Sequence, residues 1–94
     1  MSEKPIRVLV VDANPNEAGA LLRRASEIAG IEVVGVAHNR NAALAQVEAV
    51  QPDVLLVDLM LPGLRSIDLV RKVVDTQPQV RILAVTPDDP PHDR

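Results

Sequence analysis

The sequence predicts an α/β domain: a parallel sheet of four strands with helices on both faces. Three observations carry that prediction. Apolar runs of strand length end at Asp12, Asp58 and Thr86, with another near Ile31–Val36. Between them lie longer stretches whose apolar residues recur every three or four positions, the period of a helix with one buried face. The connections are short and punctuated by Pro, Gly and Asn. Strands separated by helices of this length pair in parallel through right-handed crossovers, which puts helices on both faces of the sheet.

Each element is argued from its residues. Ile6-Arg7-Val8-Leu9-Val10-Val11 is β-branched and nearly all apolar, as a strand buried on both faces should be, and it ends at Asp12. Asn14 is then placed as an N-cap, Pro15 as the first helical residue and Glu17 as the partner in a capping box. Ala18, Leu21, Leu22, Ala25, Ile28 and Ala29 form the apolar stripe of this first helix, and Gly30 stops it. Ile31 to Val36 reads as a second strand, with Glu32 and Gly35 pointing to an edge position. His38-Asn39-Arg40-Asn41 is a polar turn, and Ala42 to Val50 a second helix with Ala43, Leu44, Val47 and Val50 facing in.

Gln51-Pro52-Asp53 breaks that helix and leads into Val54-Leu55-Leu56-Val57, a third strand that stops at Asp58. Leu61-Pro62-Gly63 closes the loop after it, since Pro fixes φ and Gly permits φ > 0. Ser66 caps a third helix from Ile67 to Thr76, with Ile67, Leu69, Val70, Val73 and Val74 as its buried stripe. After Gln77-Pro78-Gln79, Val80 to Val85 is a fourth strand ending at Thr86. The remainder is too rich in Pro and Asp for regular structure. One domain over residues 1–87 and a polar, flexible tail over 88–94 are therefore expected.

Composition narrows the function. A chain of 94 residues has room for one domain. It is 47% apolar but holds no Phe, Tyr or Trp, so its core is built from Val, Leu, Ile and Ala. A net charge of −3 argues against direct nucleic-acid binding. The absence of cysteine excludes disulfides and thiolate chemistry and fits the cytoplasm. The longest apolar runs are far too short to span a membrane, and no apolar segment stands behind the N-terminus as in a signal peptide.

The chemistry-bearing residues stand at strand ends. In a parallel sheet, Asp12, Asp58 and Thr86 share the carboxyl edge, where open α/β folds place their sites. Two carboxylates brought close repel unless a cation lies between them, and a hard ion such as Mg²⁺ suits oxygen ligands. A carboxylate so held can attack a phosphoryl donor, and a nearby hydroxyl can bond a phosphoryl oxygen. Each residue has a plainer reading too: Asp is a common turn former and Thr a common strand residue. His38 in its turn and His92 in the tail are read as solvated, and Arg23-Arg24 and Arg71-Lys72 as solvated helix faces.

Val10-Val11-Asp12, Val57-Asp58-Leu59-Met60-Leu61-Pro62-Gly63 and Leu83-Ala84-Val85-Thr86 together resemble the receiver domain of bacterial two-component response regulators, over roughly residues 6 to 87. The resemblance implies that Asp58 is the phosphoacceptor, taking a phosphoryl group from a sensor histidine kinase. It implies that Asp12, Asp58 and the Met60 backbone carbonyl hold Mg²⁺, and that Thr86 is the switch hydroxyl. It implies a signalling module that is not itself an enzyme, works in the cytoplasm and controls a downstream, transcriptional output.

The sequence also departs from the family. Ala13 stands where the family has a second acid, which removes a direct ligand and implies a weakened Mg²⁺ site. Ser66 replaces a frequent Gly before the third helix. The family continues with a fourth helix, a fifth strand bearing an essential Lys, and a fifth helix. The fold expected here is therefore the flavodoxin-like receiver fold, strand order 2-1-3-4, without its C-terminal α-β-α part. Its fourth strand would be a bare edge carrying Ile82, Leu83 and Val85, and such an edge invites self-association.

Three other functions compete. The first is a degenerate receiver, acting as a phosphorylation-independent interaction or dimerisation module, which Ala13 and the missing Lys favour. The second is an Asp-nucleophile phosphatase, which would need an acid where Met60 stands. The third is a dinucleotide enzyme, which would need a glycine-rich turn where Asp12-Ala13-Asn14-Pro15 stands.

Overall fold

The chain runs β1 (Ile6–Val11), α1 (Pro15–Ser26), β2 (Ile31–Ala37), α2 (Arg40–Val50), β3 (Val54–Asp58), α3 (Ser66–Thr76) and β4 (Arg81–Val85). This is a computed structural model, and it describes residues 4–12, 15–58 and 66–85. The four strands form one parallel sheet in the order β2-β1-β3-β4, as the resemblance implies. β1 and β3 lie in the centre, which is why they are the two most continuously apolar runs.

Strand alternation divides the core. Leu9 and Val11 of β1 and Leu55 and Val57 of β3 pack with Ala43 and Val47 of α2 and Leu69 and Val73 of α3. Val8, Val10 and Leu56 form a smaller cluster on the opposite face, with Ile31, Val33 and Val54 beside it. Ala25 of α1 is buried and lines a groove on that face with Val8 and Leu56. So α2 and α3 cover one face and α1 the other.

Several boundaries and faces differ from the sequence reading: β2 runs on to Ala37, β4 begins at Arg81 rather than Val80, Ser66 is the first residue of α3 rather than its cap, and three larger differences follow. α1 ends at Ser26 rather than Ala29. The chain tightens there: Glu27 N–H donates to Arg24 O at 3.2 Å and Ile28 N–H to Ala25 O at 3.1 Å, each an i→i−3 bond. Ile28 therefore leaves the buried stripe and is exposed. Gly30, at φ 87°, supplies the left-handed residue that turns the chain into β2. α2 begins two residues earlier than expected, at Arg40, because Asn39 caps it: Asn39 Oδ1 accepts from Ala42 N–H at 2.8 Å.

On α3, Leu69 and Val73 are fully buried, whereas Ile67 is 71% and Val74 51% exposed. At 100° per residue, Ile67 and Val74 lie well over 90° from the Leu69–Val73 line, so one face cannot bury all four. The expected Asn14 cap and the tail over 88–94 fall outside the described residues.

β2 is an edge strand, as Gly35 and Glu32 suggest. Val8 pairs with Val33 but Leu9 with Gly35, so Val34 is the extra residue of a bulge. Gly35 leaves room there for two neighbouring side chains. A Cβ would collide with the Gln46 side chain and approach Leu9 Cδ1 to 3.0 Å. Gln46 is fixed in that place by its Nε2–H donating to Val36 O at 3.0 Å.

Asp53 ties down the amino-terminal edge. Its Oδ2 accepts from Arg7 N–H at 2.9 Å, its N–H donates to Arg7 O at 2.9 Å, and its carbonyl accepts from Arg81 N–H at 3.0 Å. One residue thereby holds β1, β3 and β4 level at one end, which sets the register at the other.

Candidate functional site

The carboxyl edge is built around Asp12, the residue immediately after β1. Its burial is complete. Its backbone is held from the neighbouring strand on both sides of the residue. Asp12 N–H donates to Ala37 O at 3.0 Å. Asp12 O accepts from His38 Nδ1 at 2.9 Å. A carbonyl can only accept, so Nδ1 carries the hydrogen and His38 is in the Nδ1–H form. The next residue, Asn39, starts α2 with φ −153° and ψ 170° and caps it with its side chain. Ala37, His38 and Asn39 thus join the end of β2, the backbone of Asp12 and the start of α2 into one hydrogen-bonded corner.

Asp58 is the last residue of β3. β1 and β3 run in parallel with Val11 opposite Val57, so Asp12 and Asp58 each come directly after the same rung of the ladder on neighbouring central strands. Such strands are about 4.8 Å apart. On the other side Asp58 pairs with Val85, the residue before Thr86. The backbone register therefore brings Asp12 and Asp58 to one place at the sheet edge. Thr86, Met60, Ala13 and the Leu61-Pro62-Gly63 loop lie outside the described residues.

The donor chemistry fits a hard cation: one carboxylate fully buried at a strand end, and a second acid level with it on the next strand. Among the described residues, no group of three or more His, Asp or Glu side chains gathers in one place. No helix among the described residues is long and apolar enough to cross a membrane.

The sequence reading misses one participant. His38 reads as a solvated turn residue; it is exposed, but its ring reaches a carbonyl 26 positions earlier in the chain. No local pattern announces that bond. It exists because β2 pairs with β1, which brings the β2–α2 corner beside the end of β1.

Known proteins are similar to this chain in sequence and in fold. The family model described as "Response regulator receiver domain" matches residues 8–94. The response regulator GacA of Pseudomonas viridiflava is 35% identical over 81 residues, covering 86% of this chain and 38% of that protein. The transcriptional regulatory protein TrcR of Mycobacterium tuberculosis is 37% identical over 90 residues, covering 96% of this chain and 34% of that protein. A protein-glutamate methylesterase/protein-glutamine glutaminase of Myxococcus xanthus is 40% identical over 84 residues, 89% of this chain and 23% of its own length. Among solved structures, the signal receiver domain of NarL from Mycobacterium tuberculosis superposes with a TM-score of 0.82 at 30% identity, over 95% of this chain and 72% of that one. The chain spans about two-fifths or less of the curated relatives it matches. With a model match over nearly its whole length and the family's strand order, the chain belongs to the response regulator receiver domains of two-component signalling.

Proposed function

We propose that the chain receives a phosphoryl group on Asp58 from a sensor histidine kinase in the cytoplasm and passes the signal to a transcriptional output. The observation that carries this reading is the shared rung: Val11 opposite Val57 sets Asp12 and Asp58 side by side at the ends of the two central strands. In the reaction, a carboxylate oxygen of Asp58 forms a bond to phosphorus as the bond from phosphorus to the kinase imidazole nitrogen breaks. The imidazole leaves and regains a proton. Asp12 and Asp58, with the Met60 carbonyl, would hold Mg²⁺, which would supply positive charge to neutralise the transferring oxygens. Asp12 stays buried and fixed by its backbone, so its carboxylate enters the reaction already placed. Thr86, two positions beyond Ala84, the partner of Val57, supplies the hydroxyl that bonds the aspartyl phosphate. Ala13 leaves the metal one protein ligand short, so Mg²⁺ binding is weak. Transcriptional output is supported by relatives such as TrcR, whose name states that role.

The test is incubation with acetyl phosphate and Mg²⁺ followed by intact mass measurement. One added phosphoryl group is expected on the parent chain and none on Asp58→Asn. An unmodified parent chain under saturating donor and metal would refute the reading.

A second property, self-association, is supported by a different observation. β4 is the outer strand of the described sheet, and Leu83 on it is 55% exposed. Beside Leu83 a groove of about 340 Å³ runs between the sheet and α1, lined by Ile6, Ala25, Ile28 and Val54 among others. An open edge flanked by apolar side chains pairs readily with a second copy.

A further inference from the structure

We infer that His38 is a positioning residue for the cation site, acting through the backbone of Asp12. The inference rests on the reading of Asp12 as a Mg²⁺ ligand and goes beyond it.

The geometry is a clamp. Asp12 is the last described residue before the β1–α1 connection, and a carboxylate at the mouth of a loop is only as well placed as its own peptide. Two hydrogen bonds fix the peptide groups on either side of the Asp12 Cα, and both come from consecutive residues of β2 and its corner: Asp12 N–H to Ala37 O at 3.0 Å, and His38 Nδ1–H to Asp12 O at 2.9 Å. The first continues the parallel ladder and takes no atom of the side chain at position 38, but it opens more readily once the second no longer ties the corner to the end of β1. The second needs a side-chain donor at that place and reach. The corner itself is anchored, because Ala42 N–H donates to Asn39 Oδ1 at 2.8 Å and Ala43 N–H to Asn39 O at 2.9 Å. His38 therefore reaches from a capped helix start to the carbonyl beside the buried carboxylate. Its own ring is exposed, so packing does not explain its placement, whereas the hydrogen bond does.

With Ala13 contributing no carboxylate, the site depends more heavily on Asp12, and precise placement of that one residue matters more. Outer partners that orient a ligand commonly tune metal affinity without touching the metal.

The conservative variant is Asn. Its Nδ2 stands close to where the His Nδ1 stands, with a hydrogen to donate, while Ala removes the donor and nothing else of the fold. Two measurements separate the outcomes. The first is amide hydrogen exchange at Asp12 in the metal-free chain. Faster exchange is expected in His38→Ala, returning toward the parent rate in His38→Asn. The second is Mg²⁺ titration by calorimetry, without phosphodonor. His38→Ala is expected to bind about three- to tenfold more weakly, the scale of one lost hydrogen bond, and His38→Asn to recover most of that loss. Unchanged exchange in His38→Ala overturns the clamp. Changed exchange with unchanged Mg²⁺ affinity overturns the positioning role. A parent chain that binds no Mg²⁺ refutes instead the reading of the cation site on which the role rests, and the exchange data still decide the clamp.

Discussion

Asp12 and Gly35 show how single residues set this molecule. Asp12→Asn keeps the shape of a fully buried side chain but removes its charge. On the proposed reading of Asp12 as a Mg²⁺ ligand, the variant is expected to stay folded and to lose Mg²⁺ affinity by about tenfold or more, measured by calorimetry, since a metal ligand counts for at least as much as an outer partner. Gly35 works through packing. Adding a methyl there displaces Gln46 from its bond to Val36 O and presses on Leu9. Gly35→Ala is expected to lower stability by about 1–2 kcal/mol, the cost of one hydrogen bond and a tightened contact, read as a shifted urea midpoint with unchanged slope. How far such residues can be read in advance depends on whether their role is local. Asp12 and Asp58 are legible because each ends an apolar run, and the run and its stop are both local signals. Gly35 is legible as an irregularity in β2 but not as a bulge. His38 is not legible at all, because its partner is a neighbour only after β2 has paired with β1.

The elements are legible in kind and less so in extent. All seven can be read from the sequence, because the strand and helix periods do not overlap in runs of this length. Their ends and faces are decided by things periodicity does not weigh. α2 starts at its cap, so Asn39 belongs to the helix boundary and not to the middle of a turn. Asn39→Ala is expected to cost about 1 kcal/mol and Asn39→Ser nearly nothing, again by urea unfolding. α3 makes the same point about faces. The apolar residues of its first and last turns outnumber those one face can bury, and the sheet selects Leu69 and Val73. Leu69→Ala is therefore expected to cost about 2–5 kcal/mol, while Ile67→Lys stays within about 0.5 kcal/mol in this chain. Similar losses from the two variants would mean that Ile67 is covered.

At the scale of the molecule, the two outer strands of the described sheet differ. β2 ends its side with a bulge, a glycine and the exposed acid Glu32, the devices that discourage further pairing. β4 has no bulge, and its exposed positions include the apolar Leu83. The groove beside it leaves Ile6 and Ile28 half-exposed on the α1 face, while Ile67 and Val74 stand exposed on α3 on the opposite face. A chain without aromatic residues has little core area to spare, so covering these surfaces stabilises it directly. The 94-residue chain is therefore expected to self-associate. Light scattering at micromolar concentration is expected to give a mass above that of one chain, and the thermal midpoint to rise with protein concentration, as it must when association is linked to folding. Leu83→Lys separates the edge from general stickiness. Leu83 is already more than half exposed, so the substitution costs the single chain little, yet it sets a charge on the pairing edge. The variant is expected to be a folded monomer with a lower, concentration-independent midpoint. A parent chain that is monomeric and well folded at the same concentration would show that β4 does not pair with a second copy.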